Sequence, residues 1–186
     1  MNAIHLLPLA GASRELVEAI RTPLASAFQS VVETRDVGVD LEQFFDEKRA
    51  QYNSTSILVQ LKELYRDIPP AAGTKALAIV PYDLFIPILT YVFGEAEVGG
   101  TAAVVSYYRL APERYGLPPD RRLLEERFLK EAVHELGHVH ALVHCSAQEC
   151  VMHSSSYVEV IDLKGVRMCP SCAAAAGLDR SRSGSS

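Results

Sequence analysis

The stretch KEAVHELGHVHALVHC, residues 130–145, decides how the rest of the chain is read. It holds four histidines, His134, His138, His140 and His144, and ends in Cys145. His134 and His138 stand four residues apart, so on a helix they lie one turn apart and point the same way. Two imidazoles so placed can reach one metal ion. Glu135 projects from the next position, near the ion without binding it, where a base for a metal-bound water is needed. The spacing has a mechanism behind it. The bland alternative is a surface helix with a few titrating histidines.

A catalytic zinc needs a third protein ligand besides a water. His144 cannot serve from a continuous helix, because six residues beyond His138 it would point about 120° off the ligand face. The helix must therefore stop after His138 and the chain swing back. A glycine suits such a left-handed turn, and the position holds Ala141. Alanine there costs about 1–2 kcal/mol. Glu159 is the rival third ligand, since its spacing fits a downstream glutamate and requires no turn at Ala141.

Outward from this stretch, the 186 residues suit one domain with at most a small appendage, and 48% hydrophobic residues support a core. The net charge of -5 argues against a nucleic-acid footprint. No apolar run is long enough to span a bilayer, so no membrane partner is expected. The start, MNAIHLLPLAGAS, has no basic residue before its apolar run and is broken by Pro8. It reads as a strand and turn rather than a signal peptide. A reducing, cytoplasmic location and a monomer are the expectations. All four cysteines fall between 145 and 172, and this clustering favours metal thiolates over a disulfide framework.

Periodicity predicts strands at 3–9, 30–39, 75–85, 90–98 and 101–110. It predicts helices at 13–29, with Ser13 as N-cap, at 53–67, with Ile57, Leu58, Leu61 and Leu64 buried, and at 120–142. A last short helix falls near 171–177, and Gly99–Gly100 turns the last two strands into a hairpin. The order gives an α/β fold, a mixed sheet with helices packed on it. Residues 1–144 form the main unit, 145–178 a small cysteine-rich subdomain, and 179–186 a flexible tail.

The sequence after the histidines identifies a likeness. HCSAQECVM (144–152) followed by CPSC (169–172) resembles the archaemetzincins, metzincin-clan zinc metallopeptidases whose signature joins HExxHxxGxxH to C-x4-C-x-M and then C-x2-C. RAQYNSTSIL (49–58) and YVFGEAEVGG (91–100) are similar to that family too. The chain departs at Ala141, and its spacer after Met152 is one residue shorter. The resemblance implies a metzincin-like twisted sheet and two zinc ions. One is catalytic, on His134, His138 and His144 with Glu135 as base. The other is structural, on Cys145, Cys150, Cys169 and Cys172. A closed four-thiolate site also suits a segment too small to hold a core alone.

Met152 resembles the methionine of the turn beneath the catalytic zinc. The strand around Gly94–Ala96 resembles the edge strand above the cleft, with a plain interior strand as its alternative. Tyr157 is a candidate donor to the transition state, and His5, His140 and His153 read as non-ligands. The implied activity is hydrolysis of peptide or protein substrates. The rival class is a non-catalytic, zinc-stabilised peptide- or protein-binding module, against which the retention of Glu135 argues.

Overall fold

The computed structural model describes residues 3–66 and 73–178. The expected tail, 179–186, lies outside them. Six residues at the start, apolar except for His5, form β1 (Ala3–Pro8), and Ser13 then opens α1 (Arg14–Phe28), its Oγ accepting from Leu16 N at 3.3 Å. β2 (Val31–Thr34) follows, then short strands β3 (Phe45–Asp46) and β4 (Gln51–Asn53), and α2 (Ser54–Arg66). β5 (Lys75–Val80), β6 (Leu84–Phe85), β7 (Gly94–Ala96) and β8 (Ala102–Ser106) precede the long α3 (Arg121–Val139). α4 (Val158–Leu163) and α5 (Pro170–Ala175) complete the described elements.

The main sheet runs β2-β1-β5-β8-β7. Its first four strands are parallel and β7 is an antiparallel edge strand. β5 and β8 explain the two-layered core. Leu77, Ile79, Ala103 and Val105 point to the side covered by α1 and α3. Ala76, Ala78, Val80, Ala102 and Val104 point to the side covered by α2. Strands buried on both faces need apolar residues at every position, which these sequences supply.

Several predicted elements are trimmed for physical reasons. The 75–85 strand stops at Val80 because Pro81 has no N–H for the ladder, and Leu84–Phe85 joins a separate sheet, β3-β4-β6. Of 90–98 only Gly94–Ala96 pairs with β8, while Val92 bridges to Leu84 instead. The predicted 30–39 strand keeps four residues, and 101–110 turns into a 3-10 turn at Tyr108–Leu110. On α2 the fourth buried hydrophobic residue is Tyr65, whereas Leu64 is exposed.

The second half of α3 is buried on all sides, charged residues included, because the C-terminal segment covers the face turned away from the sheet. Val151, Met152, Val158 and Ile161 share the core of α1 and α3. Periodicity did not predict α4, which is held onto α3 by charge. Arg127 Nε and Nη2 reach Asp162 Oδ1 and Oδ2, each at 2.7 Å, and Nη1 donates to Leu110 O at 3.0 Å. No helix among the described residues is long and apolar enough to cross a membrane.

Removing the acid should strand the buried guanidinium. Asp162→Ala is expected to lower stability by about 1.5–3 kcal/mol, the worth of a charged hydrogen-bonded contact. Urea unfolding followed by circular dichroism checks this.

Candidate metal centre and cleft

α3 ends one residue past His138, and the ending sets the site. Ala141 has φ 66°, the left-handed conformation required if His144 is to return to the helix. Leu142 N donates to Gly137 O at 3.0 Å and Ala141 N to His138 O at 2.9 Å. This is the paired 6→1 and 5→2 pattern of a Schellman motif, here with alanine in the place glycine usually takes. The reversed chain carries His144 back to the helix. The ligand atoms of His134, His138 and His144 all lie within 4.8 Å of one another. Glu159 is outside this group, exposed in the first turn of α4.

The hydrogen bonds of the rings say which nitrogen is free. His134 Nδ1 is 2.8 Å from Val151 O, and His138 Nδ1 is 2.8 Å from Leu142 O. A carbonyl only accepts, so both Nδ1 atoms carry the proton and both Nε2 atoms present lone pairs. Those Nε2 atoms face each other at 3.1 Å. Two lone pairs that close repel unless a cation lies between them, and bonds of about 2.0–2.1 Å to one tetrahedral zinc put two nitrogens at roughly this separation. The donor set fits zinc. His134 is held neutral, its pKa lowered to about 2 by burial and then by the Lys164 charge.

The four thiols form the second cluster, their sulfurs also within 4.8 Å of one another. Cys145 Sγ and Cys169 Sγ are 3.8 Å apart, about the spacing of two sulfurs bonded at roughly 2.3 Å to one tetrahedral ion. Cys169 is lowered to about 7, first by the backbone N–H of Cys172.

Glu135 is 5% exposed and lies against the edge strand. A Cβ added to Gly94 would sit 2.6 Å from both Glu135 Cγ and Oε1, so only glycine lets the strand pass this close. Burial raises the Glu135 pKa well above the ordinary carboxylate value; Glu131 adds to the rise and Lys164 opposes it. Lys164 Nζ lies 2.8 Å from Glu131 Oε1, both side chains buried, in a contact of charge against charge rather than a well-directed hydrogen bond. The same Nζ donates to His153 O at 3.3 Å.

These residues floor a cleft of about 700 Å³. One wall is residues 89–96 with Val98, the other Ser154–Tyr157, and Glu131, Glu135 and the three histidines lie between. Tyr157, 65% exposed, faces the cleft. Met152 is fully buried under α3, where a side chain on Gly137 would collide with its sulfur.

The sequence model of Peptidase family M54 matches residues 15–177. The chain belongs to peptidase family M54. It is similar to the archaemetzincin of Pyrococcus horikoshii, 41% identical over 167 residues that cover 87% of each chain. The archaemetzincin of Archaeoglobus fulgidus is 38% identical over 173 residues, 91% of this chain and 96% of that one. The crystal structure of an Archaeoglobus fulgidus archaemetzincin complexed with malonate superposes with a TM-score of 0.77 at 37% identity, covering 93% of this chain and 99% of that one. A zinc-dependent peptidase from Methanocorpusculum labreanum gives 0.84 at 29% identity, with the same coverage. The enzyme class is thus a zinc metallopeptidase, and the mixed sheet with its helices is the archaemetzincin fold.

The other histidines of this M54 chain have separate uses. His140 stacks on Phe28, ring centroids 4.8 Å apart, and its Nδ1 donates to Leu136 O. His153 Nδ1 donates to Cys145 O at 3.0 Å, and His5 Nδ1 is 2.9 Å from Tyr65 Oη. Sequence reasoning missed Glu131, Lys164 and the closeness of Gly94 to Glu135. Glu131 had a signal, since it lies one turn before Glu135 on the same helix face. Lys164 and Gly94 had none, being 29 residues after and 41 before Glu135.

The turn makes a measurable demand. Ala141→Gly relieves a left-handed alanine and should stabilise the protein by about 1 kcal/mol, whereas glycine in a continuing helix would cost about that much. A thermal melt of the two proteins decides the sign.

Proposed function

We propose that this M54 peptidase cuts peptide bonds at a zinc held by His134, His138 and His144, with Glu135 as general base. A second, structural zinc would be held by Cys145, Cys150, Cys169 and Cys172, closing residues 145–178 as a subdomain. The observation that carries the reading is the convergence of three imidazoles beside a buried carboxylate on the floor of an open cleft.

When bound, the catalytic zinc supplies Lewis acidity, bringing the pKa of a coordinated water toward about 7 and favouring negative charge on the substrate carbonyl oxygen. The chain's own residues do the rest. Val151 O and Leu142 O fix the ring orientation of His134 and His138 and keep each Nε2 free of a proton. Glu135 accepts the proton of the attacking water and returns it to the leaving amine. Its burial keeps bulk water from competing for that proton. β7 is paired on one side only, so its outer backbone groups are free to align an extended peptide by strand addition.

The cysteine cluster supports a structural role because it presents four sulfurs and lies outside the lining of the cleft above the histidines. Metal analysis should give two zinc ions per chain. A chelator should remove the histidine-bound ion first, and Cys169→Ser should lower Tm and open the C-terminal segment to proteolysis. His144→Ala should lose the catalytic ion, and Glu159→Ala should keep it. One zinc per chain with four freely titrating thiols speaks against the second site.

Glu135→Gln separates an enzyme from a binding module. The variant should fold, hold both zincs and bind peptide, while turnover falls by about 10²–10⁴. Equal cleavage rates at equal zinc content would remove Glu135 from the mechanism.

A further inference from the structure

The stretch RAQYNSTSIL, residues 49–58, contributes no side chain to either metal cluster or to the lining of the cleft. Four of its side chains, those of Arg49, Gln51, Ser54 and Thr55, reach the back of one cleft wall. Arg49 Nη1 donates to Leu89 O at 3.0 Å, and Gln51 Nε2 donates to Thr90 O at 3.1 Å. At the start of α2, Ser54 Oγ lies 2.6 Å from Glu95 Oε2, and Thr55 Oγ1 lies 3.0 Å from both Glu95 oxygens. Ser54 is fully buried, and its Oγ also lies 3.1 Å from Phe85 O, so Glu95 is the nearer of two acceptors for its hydroxyl.

Glu95 is the middle residue of β7. Side chains alternate along a strand, so Gly94 and Ala96 face α3 while Glu95 points to the other face of the sheet, toward α2. The first N–H groups of α2 lack partners within the helix, and a helix N-terminus favours an anion. Among the described residues Glu95 forms no ion pair, and its hydrogen-bond partners are the two hydroxyls at the start of α2. β7 needs such an anchor. It is three residues long, has one hydrogen-bonded neighbour, and passes Glu135 without room for a methyl group.

We infer that Glu95 is a positioning residue: anchored on Ser54 and Thr55, it sets the height of the edge strand above Glu135 and the peptide that pairs with it. The inference rests on the peptidase reading given above. Glu95 touches neither the reacting atoms nor the metal ligands and acts through the strand. Freed from α2, the strand would shift or tilt by tenths of an ångström to an ångström, and a substrate paired to it would move off the line of attack.

The test compares Glu95→Ala, Glu95→Gln, Thr55→Val and the double variant Glu95→Ala/Thr55→Val, all loaded with zinc. Peptides that extend on both sides of the scissile bond serve as substrates, far below each Tm. Glu95→Ala should keep both zincs and lower kcat/KM roughly tenfold to a hundredfold, chiefly through KM. Glu95→Gln, which keeps an acceptor for one hydroxyl, should recover part of the loss. Thr55→Val should show a smaller loss of the same kind, and the double variant should be no worse than Glu95→Ala. Hydrogen exchange at the amides of residues 89–96 should speed up in Glu95→Ala and not elsewhere in the main sheet.

Unchanged KM and unchanged exchange in a folded Glu95→Ala protein overturn the inference. So does a loss that follows zinc content or Tm alone, or one that is additive in the double variant. If zinc-loaded wild type cuts no peptide, the peptidase reading fails by itself. Exchange at residues 89–96 then still decides whether Glu95 holds the strand.

Discussion

The rest of the site depends on one backbone event, the left-handed turn at Ala141. α3 has to remain regular through His138 to keep two imidazoles in line, and has to end at once so that His144 can return. The turn meets both demands by reusing the last carbonyls of the helix. Gly137 O accepts from Leu142 N, and His138 O accepts from Ala141 N and from Gly99 N. The bond from Gly99 ties the turn to the loop between β7 and β8, so the end of the helix and the edge strand are one mechanical unit. Leu142, placed by the same turn, gives its carbonyl to His138 Nδ1. The strain in one alanine is accompanied by bonds that close the helix and orient one proposed ligand, His138, while the turn returns another, His144.

A second unit, residues 150–153, joins the two metal clusters. Cys150 belongs to the sulfur cluster, while the Val151 carbonyl orients His134. Met152 fills the hollow that Gly137 leaves beneath α3, and its carbonyl accepts from Cys145 N. His153 bonds back to Cys145 O and accepts at its own carbonyl from Lys164. Four consecutive residues thus serve the sulfur cluster, His134, the underside of α3, the Cys145 backbone and Lys164. A metal bound at the cysteines, as proposed above, would therefore also fix the carbonyl that orients His134. Proximity in sequence between His144 and Cys145 follows from this economy of space.

The electrostatic design is equally local. Glu131 and Glu135 are one turn apart on a buried helix face, where two bare carboxylates would repel. Lys164, itself fully buried, answers one of them. The cost of burying these charges falls on the element that carries them, which is why α4 and the residues after it are held by Arg127 and Lys130 as well as by apolar packing.

Much of this was legible in the sequence, and for a common reason. The spacing of His134, Glu135 and His138, the N-cap at Ser13, and the turn at Ala141 that a returning His144 requires follow from helix geometry, which a chain carries with it wherever it folds. The burial of both faces of β5 and β8 was likewise written in unbroken apolar runs. What the sequence left open lay between elements. The true length of β7, the break at Pro81 and the order β2-β1-β5-β8-β7 depend on which elements meet, and the pairs Lys164–Glu131 and Glu95–Ser54 join residues 33 and 41 positions apart. Periodicity fixes which way a side chain faces on its own helix or strand. Only the packing of helices and strands against one another decides which side chain it meets.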